Sequence, residues 1–319
     1  MTNIINGTPG NDFIEGTPGD DQINGNGGND TLKGFAGNDQ INGGSGNDSI
    51  EGGNGDDQLN SNGGNDTLIG GAGNDQINGG SGFDQILGGD GDDQINGNGS
   101  NTSGDILQGG DGNNQINGSS DSEVLSVFGG FGNNQLNGNG GNDLLDGGNG
   151  DDVINGGSQA DKIAGNGGDD VLNGNGGDDQ IQGFGGNDTL IGSSGNESFF
   201  GGNSDDIAFG NTGDGDDIIF GNGGDDFVSS GDGLDQVFLG TGAARVVLTT
   251  GEGFDKIFNF DLSQAKFVLG PGLDFGSLDF SDTSQGTEIV GDGDLLAVVV
   301  GVQASQIDNA DFFTNSVLF

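Results

Sequence analysis

A nine-residue period governs this chain. Residues 43–51 show it in full: Gly43-Gly44-Ser45-Gly46-Asn47-Asp48-Ser49-Ile50-Glu51. In general form it reads G-G-x-G-x-D-x-U-x, with U a bulky apolar residue. The unit starts at Gly7 and recurs 27 times, ending at Phe258. A short unit repeated at fixed spacing cannot bury its apolar side alone. It is stable only when neighbouring copies stack and share a core.

Position 6 of the unit is acidic in a regular row. It holds Asp12, Asp21, Asp30, Asp39, Asp48, Asp57, Asp66, Asp75, Asp84 and Asp93. The row continues with Asp105, Asp143, Asp152, Asp161, Asp170, Asp179, Asp188, Asp206, Asp217, Asp226 and Asp235. Position 8 is apolar, as in Ile14, Ile23, Leu32, Ile41, Ile50 and Leu59; late in the chain Phe199, Ala208, Val228, Val237 and Val246 depart from Ile or Leu. A three-residue strand x-U-x points one side chain inward and two outward. The glycine-rich half supplies backbone angles and close chain approach that side chains forbid. Each unit therefore reads as a turn and a short strand. Two units make one coil, with a strand on each of two facing sheets, and the expected fold is an all-β parallel β-roll with a thin core of U residues.

A second period of 18 supports two units per coil. In alternate units position 9 is Asn (Asn24, Asn42, Asn60, Asn78, Asn96, Asn117, Asn137, Asn155, Asn173) and position 7 is mostly Gln (Gln22, Gln40, Gln58, Gln76, Gln94, Gln115, Gln135). The intervening units carry mixed residues such as Glu15, Lys33, Glu51 and Ile69. One outer face should thus show a Gln column beside an Asn column, with amides hydrogen-bonded at the strand spacing. Insertions are expected on turns near Ser100–Thr102 and within 118–128, 210–220 and 248–258.

The charge sets a condition on folding. The 319 residues carry a formal net charge of −46, and 76 of them are glycine. Composition alone would place the chain among disordered sequences. Rows of carboxylates brought side by side repel, so the metal-free chain should stay expanded. Only five Lys and Arg are present, which disfavours nucleic acid and anionic membranes as partners. Cys, His, Trp and Tyr are absent, so disulfides are excluded and the usual nucleophile–base pairs cannot be assembled. The acidic pairs Asp20-Asp21 and Asp56-Asp57 suggest a carboxylate dyad, but a repeated feature is unlike the singular constellation of an active site. No enzymatic role is expected. The longest apolar run, Leu295 to Val300, is too short to span a bilayer, and residues 1–6 do not resemble a Sec-type signal.

The ion that suits such a chain is calcium. It takes six to eight hard oxygen ligands in flexible geometry, from carboxylates and backbone carbonyls, whereas zinc and copper favour His and Cys. Stacked turns lie one coil apart, so Asp12 pairs with Asp30 and Asp21 with Asp39. The unit resembles the RTX (hemolysin-type) calcium-binding nonapeptide repeat, over residues 3–258. That resemblance implies ions held between consecutive turns on both edges of the roll. It also implies direct ligation by the position-6 aspartates listed above, with mostly backbone groups from positions 1 to 5. Asn114 and Asn134 replace Asp on one edge, and Glu123 and Glu197 on the other, so weak or empty sites are expected near Asn114–Asn134.

Residues 1–258 are read as the roll and 259–319 as a non-repetitive cap. The cap should contain a strand at Ala265–Leu269, a hairpin of Thr287–Val290 with Leu295–Val300, and a short helical turn capped by Ser305. Phe200, Phe220, Phe238 and Phe258 should form a column on one outer face, which the tail is expected to cover. The tail resembles RTX C-termini that carry an uncleaved type I secretion signal. Asp311-Phe312-Phe313 and Val317-Leu318-Phe319 match that ending loosely. The expected protein is a short form without an upstream toxin or enzyme domain. It would be secreted, extracellular or at the cell surface, exported by type I machinery and structural in role. It would also assemble with other copies of itself, through the coil edge at residues 1–15 or the Gln22–Asn173 face. The alternatives are a calcium-dependent adhesion or ice-binding module, and an export carrier with no further activity.

Overall fold

A computed structural model describes residues 2–98, 104–118, 126–210, 215–251 and 253–315. The insertions expected near Ser100–Thr102 and before Gly215, the acidic Glu123, and Val317-Leu318-Phe319 lie outside these residues. The fold is an all-β parallel β-solenoid, and the chain forms two compact units, residues 1–163 and 164–319.

In the first unit the strands alternate between two parallel sheets. One contains Asp21–Gly27, Gln40–Ser45, Gln58–Gly63 and Gln76–Asn78; the other contains Thr31–Ala36, Ser49–Asn54, Thr67–Ala72 and Gln85–Asp90. Register follows the sequence period, with Ile41 opposite Leu59 and Ile50 opposite Leu68. Most strands are longer than the three residues expected. They run from position 7 through position 3 of the next unit, because the ladder continues past the first glycine. Burial alternates along them, so positions 8 and 1 both face the core. The apolar position is shut off from solvent: Ile23, Leu32, Ile41, Ile50, Leu59, Leu68 and Ile77 are each at most 1% exposed.

The turns need left-handed backbone at positions 2 and 4. Gly46, at position 4, has φ +119°, and a Cβ there would run into the carbonyl oxygen of Gly28 one coil away. Where position 2 is not Gly it is often Asn, as at Asn26 (φ 78°) and Asn62 (φ 74°), because Asn tolerates this region; Phe35 (φ 81°), Phe184 (φ 74°) and Ser193 (φ 107°) are held there as well. Thr8 and Thr17 are different. Each precedes a proline, which drives it to extended backbone, and neither is left-handed.

The amide columns form as the period of 18 predicts. Asn24 donates to Asn6 (2.9 Å), Asn137 to Asn117 (2.9 Å) and Asn155 to Asn137 (3.0 Å). Gln40 donates to Gln58 (3.3 Å) and Gln115 to Gln135 (3.2 Å). The Asn column thus donates toward the N-terminal coils and the Gln column toward the C-terminal ones.

In the second unit Phe200, Phe220, Phe238 and Phe258 stack face to face, with ring centroids 5.0, 4.7 and 4.5 Å apart. They are half-buried, and each ring covers the face of its neighbour. The tail extends the sheet edges. Lys266–Leu269 pairs parallel with Arg245–Leu248, and Asp294–Val300 pairs parallel with Asp255–Phe258. The expected hairpin forms from Gly286–Gly291 and Asp294–Val300, turning at Asp292 (φ 53°) and Gly293 (φ 93°). The short helix Ala304–Ile307 contains Ser305 and is capped by Gln303, whose backbone N–H donates to Gln306 Oε1 at 2.9 Å. Phe313 packs against Phe267, Phe275 and Phe280.

Candidate metal centre

Apart from the half-buried Asp12, the position-6 aspartates are buried in rows along both edges of the stack. Asp30, Asp39, Asp48, Asp57, Asp75, Asp84 and Asp93 are each at most 3% exposed. Asp105, Asp143, Asp152, Asp161, Asp170, Asp179, Asp188, Asp206, Asp217, Asp226 and Asp235 are equally buried. Each carboxylate divides its work. Oδ1 accepts the backbone N–H of the aspartate one coil earlier: Asp39 from Asp21 (2.8 Å), Asp57 from Asp39 (2.7 Å), and Asp48 from Asp30 (2.8 Å). In Asp30, Asp39, Asp48, Asp57, Asp75, Asp84 and Asp93 the second oxygen, Oδ2, is buried with no hydrogen-bond partner. A buried acceptor left in this state is costly.

The space each Oδ2 faces is bounded by glycine at position 1. A Cβ on Gly34 would meet Asp39 Oδ2 and the carbonyl oxygen of Gly52. On Gly25 it would meet Asp30 Oδ2 and Gly43 O, and on Gly88 it would meet Asp93 Oδ2 and Gly109 O. Gly34 has no left-handed φ, so conformational freedom is not what requires glycine there. The missing side chain leaves a cradle where a carboxylate oxygen and a carbonyl oxygen converge.

The family model for the RTX calcium-binding nonapeptide repeat matches ten stretches, some of them overlapping, from residues 2–32 to 211–244. The chain belongs to this family. No curated protein matches it. Solved structures similar to it include a hyperactive, Ca2+-dependent, β-helical antifreeze protein from an Antarctic bacterium. That chain is 20% identical, the match covers 78% of this chain and 84% of that one, and the TM-score is 0.45.

The RTX repeats fit calcium on their own geometry. Every donor facing the cradle is a hard oxygen, and one is an anionic oxygen lacking any protein partner. Among the described residues no three acidic side chains converge as a metal cluster. Carbonyl oxygens must therefore complete any coordination shell. Burial also marks the rows electrostatically. It pushes the carboxyls of Asp57, Asp84 and Asp93 up to about 7, and those of Asp48 and Asp75 up to about 6. The neighbour's backbone N–H offsets part of this rise.

Several rungs differ from the ordinary one. Asp12 and Asp21 have their Oδ2 occupied by the Thr8 and Thr17 backbone N–H, at 2.6 and 2.5 Å. Burial raises Asp21, but the Thr17 N–H and contacts from Asn3 and Thr17 bring it below its usual value. Ser61 replaces the cradle glycine beside Asp66 and donates to the Gly79 carbonyl. Glu197 is buried at its rung, and burial followed by the Asp217 charge raises its carboxyl. At the C-terminal end of one edge Leu239 and Ala244 stand where Gly and Asp stand elsewhere, both buried.

Two features of the row escape a reading of the sequence alone. Asp255 continues it in the last unit, buried beside Asp235, which together with burial raises its carboxyl. An 11-residue unit obscures its register, although the Lys256-Ile257-Phe258 strand that follows is the signal that finds it. The role of Oδ1 as acceptor for the preceding coil has no signal in the repeat.

Filling one cradle should cost one cation. Gly34→Ala is expected to bind one calcium fewer than the parent by isothermal titration and to lose roughly 1–3 kcal/mol of stability in calcium. Gly19→Ala, where a Cβ meets nothing within 4 Å, should do neither. A second prediction concerns the metal-free chain. A carboxyl held near 7 when folded and near 3.8 when unfolded favours folding below about pH 4. That contribution is lost as pH rises through about 7. In chelator, β signal in far-UV circular dichroism should therefore increase as pH falls from about 7.5 to about 4.5.

Proposed function

We propose that this RTX protein is a secreted, calcium-loaded β-roll with a structural role, exported by type I machinery. The position-6 aspartates bind the ions, with residues 259–319 acting as the cap. The observation that carries this reading is the row of buried Oδ2 atoms without a hydrogen-bond partner in Asp30, Asp39, Asp48, Asp57, Asp75, Asp84 and Asp93, each beside a glycine cradle. Calcium, when bound, supplies the positive charge and the ligand demand that these oxygens lack. The chain's own residues do the rest. Oδ1 ties each turn to the one before it. The glycine at position 1 keeps the cradle open, and the U residues close the core behind it.

A structural role is supported by what the outer faces carry. The described residues present amide ladders and stacked phenylalanines. Self-assembly is part of this proposal. Exposed apolar side chains stand on the first strands, with Ile4 67% and Phe13 66% exposed, and the Gln and Asn ladders are built from uncharged amides.

Calcium should fold the chain. In chelator at neutral pH, far-UV circular dichroism should show coil, and added calcium should produce β signal cooperatively. Magnesium at equal concentration should do much less, because it demands tight octahedral geometry. Equal β content with and without calcium would reject the reading. Light scattering on the same samples should rise with calcium as copies associate. A monodisperse monomer at high concentration in calcium would leave the roll and reject assembly.

A further inference from the structure

We propose that Asn114 and Asn134 form a cation-independent clamp. Each side-chain amide nitrogen takes the place of the ion, and together they hold adjacent turns of the roll stacked when metal is absent. This inference rests on the reading that the ordinary aspartate rungs take calcium.

Both residues are 1% exposed. Each keeps the half of the aspartate's work that the protein needs. Asn114 Oδ1 accepts the Asp93 backbone N–H at 2.9 Å, and Asn134 Oδ1 accepts that of Asn114 at 3.0 Å. The row then passes on, since the Asn134 backbone N–H donates to Asp152 Oδ1 at 2.6 Å. These contacts settle which end of the amide is which. An N–H aimed at the side chain needs an acceptor there, so the nitrogen must face the other way.

That other direction is the cradle. Nδ2 of Asn114 donates to Gly112 O (3.2 Å) and Gly129 O (3.4 Å). Nδ2 of Asn134 donates to Gly132 O (2.9 Å) and Gly147 O (3.2 Å). Gly129 O bounds the Gly109 cradle as Gly52 O bounds the Gly34 cradle beside Asp39. An amide nitrogen with two N–H donors thus satisfies carbonyls that elsewhere face an orphaned carboxylate oxygen. These rungs do not fit a cation, because the donor that faces the cradle is an N–H.

The neighbouring position is neutral as well. Asn113 donates its backbone N–H to Asp92 Oδ1, and Asn133 donates its own to Asn113 Oδ1, both at 2.8 Å. The Gln and Asn columns run unbroken through the same coils, from Gln94 to Gln135 and from Asn96 to Asn155. On the edge that holds Asn114 and Asn134 this stretch therefore keeps the Oδ1, Gln and Asn hydrogen bonds of an ordinary coil and lacks the paired position-6 carboxylates that push turns apart. It is the part of the roll that can stay closed first and longest as calcium falls.

Hydrogen exchange on the full chain tests this, in chelator and in calcium. In chelator the backbone amides of Asp93 and Asn114 should exchange about tenfold more slowly than those of Asp39 and Asp57, the factor that roughly one net hydrogen bond supplies. The double variant Asn114→Asp with Asn134→Asp should lose that difference in chelator. It should remain protected in calcium, which shows that it still folds. Asp93→Asn should extend slow exchange in chelator to the Asp75 amide. Equally fast exchange at all four amides in chelator, with protection in calcium, would overturn the clamp and leave the calcium reading standing. Equally slow exchange at all four in chelator would overturn both.

Discussion

Most described turns bury a carboxylate next to the carboxylate of the coil before, and the rest of the roll accommodates that fact. Strands in a sheet stand about 4.8 Å apart. Two like charges at that spacing repel by roughly 3 kcal/mol at an effective dielectric of about 20. A few such rungs match the entire stability of a typical domain, about 5–15 kcal/mol. Hydrocarbon cannot offset this, because the core is one U residue deep on each strand. Burial first, and the neighbouring carboxylates after it, raise the carboxyls of Asp57, Asp84 and Asp93.

The geometry shows how the burden is shared. Aspartate is short enough for Oδ1 to reach a backbone N–H one coil away while Oδ2 stays beside its own glycine. In Asp39 and Asp57 the protein satisfies Oδ1, and Oδ2 faces the cradle without a hydrogen-bond partner. Where the chain departs from this scheme it does so coherently. Threonine before proline supplies a local N–H at Asp12 and Asp21. Asparagine supplies an N–H in the cradle at positions 114 and 134. Leu239 with Ala244 replaces the polar pair by hydrocarbon. Each removes the orphaned oxygen by a different chemistry.

The outer faces are organised by the same stacking. Identical side chains one coil apart are brought to the strand spacing, so amides find amides and rings find rings. In the first unit this gives two amide ladders of opposite direction. In the second it gives a column of phenylalanines stacked face to face. The tail follows the coil register, pairing its backbone with the sheet edges at Arg245–Leu248 and Asp255–Phe258.

The nonapeptide period by itself determined the parallel roll, its register, the inward U residues, the period of 18 and the rows of aspartate. These follow from one-dimensional spacing, since a stacked repeat must place like residues over like. Tertiary structure alone decided which oxygen of each aspartate serves the protein and which faces the cradle. It also decided why glycine holds position 1, and that Asn114 and Asn134 turn a nitrogen where others turn an oxygen. The strands also proved twice as long as the x-U-x core implied, because pairing continues through glycines that carry no pattern. The reason is common to all of these. They depend on contacts between coils 18 or more residues apart, where an N–H from one turn selects the orientation of a side chain in the next, and no local pattern records that choice.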